Sequence, residues 1–199
     1  MSIKVASIKG VTLIELMIVV VIVGILSAIA IPSFITAIRA SRLTASANQF
    51  IASLSFARSE AVKRGQIVVA RINGANWENG WEVFVDIDRS TAARTNVFND
   101  DNDNNLCEAA EDCKLRIYEP LPNNFTLRSN NFPNYISYFP SGESNTNGSF
   151  AICDNTDGNN IPESRTAKHI VVNSTGRLRQ NPDNNNDGIP DGLTSCNNP

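Results

Sequence analysis

One long apolar run stands near the start of the chain. The 21 residues from Val11 to Ile31 carry a single charge, at Glu15, and follow the short leader MSIKVASIKG. A helix of that length spans roughly 30 Å at 1.5 Å per residue, enough to cross the hydrocarbon core of a bilayer. A secretory signal has a shorter apolar stretch with small residues after it, whereas here Gly10 precedes the stretch. The pattern therefore predicts a membrane helix.

Beyond Pro32 the apolar positions follow a helical period. Steps of four and three residues separate Leu43, Ala47, Phe50, Leu54, Ala57 and Ala61. This spacing predicts a buried stripe on a helix that ends at Gly65. Because proline removes a backbone donor and clashes with the preceding turn, we expect a kink or a locally unwound stretch between Gly24 and Pro32.

From Gln66 onward the chain changes to short β-rich runs separated by Gly, Pro, Asn and Asp. The runs are IVVARI, WEVFVDI, LRIYE, YISYF, SFAIC and HIVVN. The simplest arrangement is α+β, with one strongly twisted antiparallel sheet laid on the helix. We expect four segments: a leader of residues 1–10, a membrane helix 11–31, its amphipathic continuation 32–65, and a β-rich head domain 66–199.

Glu15 is a candidate functional residue. A carboxylate inside an apolar membrane helix is unfavourable by a few kcal/mol or more unless it has a partner. The alternative is a charge tolerated near the membrane interface.

The string GVTLIE before a hydrophobic helix resembles the class III leader of type IV pilins and type II secretion pseudopilins. The resemblance implies that a prepilin peptidase cuts after Gly10 and methylates the new amino terminus, Val11, where most members carry phenylalanine. It also implies that Glu15 pairs with the amino terminus of a neighbouring subunit. Two charges neutralised against each other can stay in an apolar filament core, where either alone would not.

The later segments narrow the resemblance. FARSEAVKRG, WENGWEVFVD, GSFAIC and NSTGRLR follow the order of the GspH/FimT family of minor pilins and pseudopilins. The resemblance implies a type IV pilin-like fold, with other major and minor pilins or pseudopilins as partners. It implies a single-pass inner-membrane protein with a periplasmic head, extracellular once assembled in a pilus. Three functions stay open: a pilus-priming minor pilin, a DNA-capturing minor pilin and a type II secretion pseudopilin.

The sequence offers little support for catalysis. The motifs GxSxG and HExxH and the phosphate-binding loop are absent, and a single histidine, His169, excludes multi-histidine sites. Asp86 and Asp88 form an acid pair that would share a strand face. Many exposed carboxylates share a face in the same way, so this pair does not indicate an active site. We therefore expect no enzyme.

Four cysteines lie beyond the apolar run, where a periplasm-like space would oxidise them. They are Cys107, Cys113, Cys153 and Cys196. Four cysteines permit three pairings, and sequence alone cannot choose among them. Proximity favours Cys107 with Cys113, which leaves Cys153 with Cys196. In the chain-entropy model the first bond would stabilise by roughly 2 kcal/mol and the second by roughly 4 kcal/mol.

The chain has a net charge of −3, yet the stretch from Ser164 to Gln180 contains no acid. The stretch also contains His169. Its candidate DNA-binding cations are Arg165, Lys168, Arg177 and Arg179. Alternation along a strand would put Arg177 and Arg179 on one face, with Leu178 pointing inward. Four phosphate contacts give a salt slope of only about −3.6, so one domain would bind duplex DNA weakly. Useful capture would need several copies.

The string GRLR resembles the GRxR element associated with DNA capture in FimT-type minor pilins. The structural alternative is an edge strand whose cations discourage pairing. The tail also resembles that of FimU-type pilins, which help to prime pilus assembly, because FAIC and Cys196-Asn197 bracket the GR element. If Cys153 pairs with Cys196, GRLR lies inside a closed loop, which favours the priming role.

The segment DNNNDGIPDG is a candidate calcium loop, and calcium is the one candidate cofactor. Asp183, Asn185, Asp187 and Asp191 follow a D-x-N-x-D-G-x-x-D order. Oxygen ligands at alternate positions can converge on a hard cation. The order partly resembles the calcium loops of thrombospondin type 3 and dockerin repeats; the alternative is an Asn/Asp-rich surface turn. The loop with Asp100, Asp101 and Asp103 is a weaker candidate.

Overall fold

The computed structural model describes residues 10–101, 104–107 and 111–199. Leader residues 1–9 and Asp103 lie outside this range. The described chain forms a helix, α1 (Leu13–Arg64), followed by eight strands and a 3₁₀ turn at Trp77–Asn79. The strands are β1 (Val68–Ile72), β2 (Trp81–Val85), β3 (Cys113–Tyr118), β4 (Phe125–Ser129), β5 (Tyr135–Tyr138), β6 (Gly148–Asp154), β7 (Ala167–Val172) and β8 (Leu178–Gln180).

The chain divides into two compact units, one ending at Arg39 and the other running from Ala40 to Pro199. In the first unit the helix is continuous through Gly24 and Pro32, so the expectation of an unwound stretch is wrong. A proline removes only one backbone donor, and the other helical hydrogen bonds remain. Within the described residues, α1 is long and apolar enough to cross a membrane, and its most apolar part is not buried.

The buried stripe of the helix is confirmed. All six of its positions are fully buried: Leu43, Ala47, Phe50, Leu54, Ala57 and Ala61. The helix ends where expected, because Gly65 takes a φ of +66° and its N–H still bonds to the carbonyl of Ala61 at 3.0 Å. Glycine adopts this left-handed conformation without a side-chain penalty.

The α+β class with antiparallel strands is confirmed, but the expected single sheet is two. The strand orders are β3-β2-β1-β5 and β4-β6-β7-β8, and all pairs are antiparallel. The run FTLRS, which forms β4, was not among the expected strands. It has few β-branched residues and is a strand because β6 pairs with it along its whole length.

An aromatic cluster joins the second part of α1 to both sheets. The ring of Phe50 meets Trp77, Trp81 and Phe150 edge to face, at centroid distances of 5.5, 5.1 and 4.8 Å. Both indole N–H groups are satisfied; that of Trp81 donates to Ser53 Oγ at 2.9 Å. Edge-to-face pairs add to the burial of apolar area, so this cluster anchors the core that positions the candidate sites.

Candidate functional site

At the amino end of α1, Glu15 forms a capping box with Thr12. The N–H and the hydroxyl of Thr12 both donate to Glu15 Oε2 at 2.9 Å, and the N–H of Glu15 donates to Thr12 Oγ1 at 3.3 Å. The sequence signal was the T-x-x-E spacing, which marks a helix start. Gly10 and Val11 beside it are exposed. Within the described residues Glu15 has no ion-pair partner, so its charge is available to a neighbouring chain.

The tail after β8 covers the outer face of the second sheet. A small apolar cluster forms there from residues of β6, β7 and the tail: Ala151, Cys153, Ala167, Leu193 and Cys196. The structure pairs Cys153 with Cys196 and Cys107 with Cys113, the pairing that proximity favours. The Cys153–Cys196 bond ties the tail to β6 and closes the chain around β7 and β8.

His169 is part of this buried layer and is not a surface cation. Its side chain is 6% exposed, and Nδ1 lies 3.2 Å from the carbonyl oxygen of Asp191 and 3.1 Å from Nδ2 of Asn181. The contacts fix the ring against the tail. His169 therefore takes no part in a phosphate-binding surface.

The GRLR element is Gly176 to Arg179, and the turn that leads into β8 at its start, here called the GRLR turn, is held in place by α1. Arg58 donates from Nε to the carbonyl of Gly142 at 2.8 Å and from Nη2 to the carbonyl of Thr175 at 3.3 Å. One guanidinium thus ties the turn after β5 and the turn before β8 to the helix. Sequence reasoning missed Arg58, because nothing in its neighbourhood marks which distant carbonyls it reaches.

The structure does not bring the four candidate cations onto one surface. Arg177 and Arg179 are exposed, and half-buried Leu178 packs against the core, as alternation indicated. Lys168 lies across from core residue Ile152, so its side chain is on the α1 side of the sheet, opposite to Arg179.

Two clefts separate these cations further. Arg165 and Lys168 line a cleft of about 1050 Å³ beside α1, with Gln180 on its wall. Arg177 lines a second cleft of about 570 Å³. Arg165 has a φ of +66°, and its N–H bonds to the carbonyl of Gly188 at 2.7 Å. A straight duplex could not reach all four cations at once.

In the candidate calcium loop the side chains bond to the loop itself. Asp183 accepts the N–H groups of Asp187 at 3.2 Å and Gly188 at 2.8 Å. Asp187 Oδ1 accepts the N–H of Ile189 at 2.7 Å, and Asp191 Oδ1 accepts an N–H at 3.2 Å. Across the described ranges, no group of three or more His, Cys, Asp or Glu side chains is placed to hold a metal ion. This geometry is that of an Asx-rich turn.

Asp86 and Asp88 are buried, so the expectation that they resemble exposed carboxylates is wrong. They follow β2 and are 3% and 4% exposed. Asp86 pairs with Arg89 and Asp88 pairs with Arg94. The Arg94 guanidinium holds the pKa of Asp88 at about 2, below its ordinary value of 3.8. Burial raises the pKa of Asp86.

A third buried carboxylate organises the long β2–β3 connection. Asp112 Oδ1 accepts the N–H groups of Ile87 at 2.7 Å and Asp88 at 2.9 Å, and Oδ2 accepts the N–H of Asn99 at 2.8 Å. Burial raises the pKa of Asp112. These acids stabilise a loop through its backbone donors, so their arrangement is structural.

Comparison with known families gives two matches. The sequence model of the family described as type II transport protein GspH matches residues 46–176. The model of the prokaryotic N-terminal methylation motif matches residues 6–31. The comparison with curated proteins gave no match.

Solved structures include similar chains. The type IV minor pilin FimU of Pseudomonas aeruginosa is 21% identical, with a TM-score of 0.53 over 78% of this chain and 96% of FimU. The minor pseudopilin EpsH from the type 2 secretion system of Vibrio cholerae is 17% identical, with a TM-score of 0.42 over 70% of this chain and 95% of EpsH. At this identity the likeness to FimU shows a shared fold.

Proposed function

Because this chain belongs to the family of the type II transport protein GspH, we propose that it is a minor subunit of a type IV pilus that takes part in pilus assembly. It is held in the inner membrane by residues 11–31 and then incorporated into the filament. Its head domain, residues 66–199, faces the periplasm before assembly. Its partners are other pilins, and it has no enzymatic role.

Processing by a prepilin peptidase starts this sequence of events. The peptidase removes residues 1–10 by cutting after Gly10 and methylates Val11. The match to the N-terminal methylation motif over residues 6–31 supports this step. Glu15 then pairs with the amino terminus of a neighbouring subunit, a role supported by its lack of an ion pair within the described chain.

One observation favours assembly over DNA capture: the GRLR turn is held from two sides. Arg58 bonds to the carbonyl oxygens of Gly142 and Thr175, and the Cys153–Cys196 disulfide closes the chain around the turn. A tail that captures DNA would be expected to be more mobile. The separation of the four cations onto different surfaces supports the same choice.

Two other functions each have an observation in their favour. A role as a type II secretion pseudopilin is favoured by the description of the matching family as a transport protein. DNA capture is favoured by Arg177 and Arg179, which are exposed and have no ion pair within the described ranges. In that function, the two arginines would contact phosphates without Arg165 and Lys168, which line a different cleft.

Deletion of the gene in the organism that encodes it discriminates among the three. We expect the deletion strain to lose surface pili, to secrete proteins normally and to recover pili when the wild-type gene is restored. Surface pili would be counted by electron microscopy and secreted proteins by analysis of the medium. Normal pili with a secretion defect would contradict the proposal in favour of a pseudopilin, and normal pili with lost DNA uptake would favour DNA capture.

Calcium binding at Asp183, Asn185, Asp187 and Asp191 stays a prediction. A cation there would compete with the backbone N–H groups that these carboxylates already accept. Calorimetric titration of calcium into the full-length chain would test it, with Asp187→Asn as the variant that removes a ligand charge. Heat that saturates at one calcium per chain, and is lost in the variant, would establish the site.

A further inference from the structure

On three of the four sheet edges in the described chain, other groups of the chain bond to an outward backbone group of the edge strand. On edge strand β4, the N–H of Leu127 donates to Oε2 of Glu78 at 3.3 Å. On edge strand β5, the N–H of Ser137 donates to Oδ1 of Asn145 at 3.0 Å, and the carbonyl of Ser137 accepts the N–H of Asn145 at 2.9 Å. A backbone group that is already bonded in this way is not free to pair with another strand.

Edge strand β3 is covered in the same way. The N–H of Lys114 donates to Oδ1 of Asn105 at 2.6 Å, and Nδ2 of Asn105 donates back to the carbonyl of Lys114 at 3.4 Å. Side chains or a neighbouring segment thus block outward backbone groups on three of the four sheet edges in the described chain. The remaining edge is β8.

The outward backbone groups of β8 are open. The carbonyl of Arg177 accepts a 3.2 Å bond and the N–H of Asn181 donates a 2.9 Å bond, both on the β7 side. Since inward and outward groups alternate along an antiparallel strand, Arg179 also bonds inward, and the N–H and C=O of Leu178 and Gln180 point away from β7. In the described part of the chain, no group bonds to them.

Space for another backbone lies between this edge and α1. The 570 Å³ cleft has Leu178 on one wall and Ile51, Ser55 and Val62 of the helix on the other. The 1050 Å³ cleft has Gln180 on its wall and lies along the earlier part of the same helix, at Ala40, Thr44 and Asn48. The wall of the 570 Å³ cleft beside Leu178 includes apolar Ile51 and Val62, and exposed Arg177 also lines this cleft. Arg179 is exposed on the face of the strand opposite to Leu178.

We propose that β8 receives an extended segment of a partner protein as an added strand. Alternate side chains of such a strand point to opposite faces, so the segment carries apolar residues toward Leu178 and Ile51 and carboxylates toward Arg177 and Arg179. The two arginines have no acidic partner in the described chain, and charge complementarity selects the acidic segment. This inference goes beyond the proposed function and holds for either filament machine.

The test uses the full-length chain in detergent and a fluorescent seven-residue peptide of alternating Val and Glu, followed by fluorescence anisotropy. Gln180→Pro removes one outward N–H while leaving the inward bonds to β7, and Gln180→Thr is the matched control that keeps it. We expect the proline variant to bind the peptide roughly fivefold more weakly and the threonine variant to bind like the wild type. Thermal unfolding checks that both variants are folded.

A second peptide, of alternating Val and Lys, tests the charge complementarity and should not bind. Equal binding by the two Gln180 variants, equal binding of the two peptides, or no binding of the acidic peptide at millimolar concentration would overturn the inference. The inference would also be overturned if duplex DNA displaced the peptide and bound Gln180→Pro as tightly as the wild type. Surface pili are not part of the readout, so this test and the deletion experiment can fail independently.

Discussion

Gly176, in the turn before β8, packs directly against the carbonyl group of Gly142. A Cβ atom at position 176 would lie 2.1 Å from the carbonyl oxygen of Gly142, and Gly176 takes a φ of +74°. The same carbonyl oxygen accepts the bond from Arg58 Nε. The glycine of the GRLR element therefore has a structural reason to be glycine, independent of any ligand that the arginines bind.

Gly176→Ala should destabilise the chain more than an ordinary glycine substitution. Gly158 is the matched control, because it has the same φ of +74° but open space where a Cβ would be. We expect Gly158→Ala to lower the free energy of unfolding by about 1 kcal/mol, from the left-handed conformation alone, and Gly176→Ala by about 3 kcal/mol, since overpacking adds to it. Denaturant unfolding measures both, and equal losses would contradict the contact.

Removal of the Cys153–Cys196 disulfide should cost more than removal of Cys107–Cys113. The bonds span 43 and 6 residues, and the longer loop constrains the unfolded chain more, so we expect losses of about 4 and about 2 kcal/mol. Paired Cys→Ala variants, compared by denaturant unfolding, measure the difference. Peptide mapping without reduction tests the pairing, and a Cys107–Cys196 peptide would refute it.

The Asp88–Arg94 ion pair should make stability depend on pH in the acid range. The folded pKa of Asp88, about 2, lies below its ordinary value of 3.8. The stability it contributes is therefore fully present above pH 3.8 and is lost as the pH falls toward 2. We expect Asp88→Asn to be less stable than the wild type at pH 6 and to approach it near pH 2. Asp101→Asn is the control, because Asp101 is exposed and its bond to Arg94 is worth less.

Glu15→Gln should separate the two roles of this side chain. A glutamine can still cap the helix at this position, but it carries no charge for the neighbouring amino terminus. We expect the amount of subunit in sheared filaments to fall at least about tenfold, because an unpaired charge is left buried, while the amount in the membrane is unchanged. Thr12→Ala is the matched control, since it removes the cap and keeps the charge. Immunoblots of the two fractions measure the effect, and equal incorporation by both variants would exclude the charge pairing.

Arg177→Gln combined with Arg179→Gln tests the DNA-capture alternative. Under the proposed assembly role, DNA uptake per surface pilus should match the wild type, because uptake then depends on pili and not on these two cations. Transformation frequency and pilus counts measure the ratio. The double Lys variant controls for charge, and uptake lost with Gln, kept with Lys, and accompanied by normal pili would establish DNA capture.

The sequence was informative wherever the signal was local. The stripe from Leu43 to Ala61 has the period of a helix, and Gly65 ends it because the chain there needs a positive φ. The strand β4 and the burial of Asp86 and Asp88 were beyond local reasoning. Both depend on partners far along the chain. Strand β6 pairs with β4, and the side chain of Asp112 accepts backbone N–H groups of the loop that encloses Asp86 and Asp88.

The sequence by itself determined the apolar run with its one carboxylate, the helical stripe, the β-rich character of the head and the family resemblance, because each depends on residue order over a few turns or strands. Only the tertiary structure decided that the strands form two sheets, that Lys168 and Arg179 lie on opposite faces, and that the outward backbone groups of Leu178 and Gln180 on β8 are unbonded within the described residues. These features depend on strand register and on hydrogen bonds between distant segments. Side-chain direction alternates with every residue of a strand, so the register alone determines which cations share a surface.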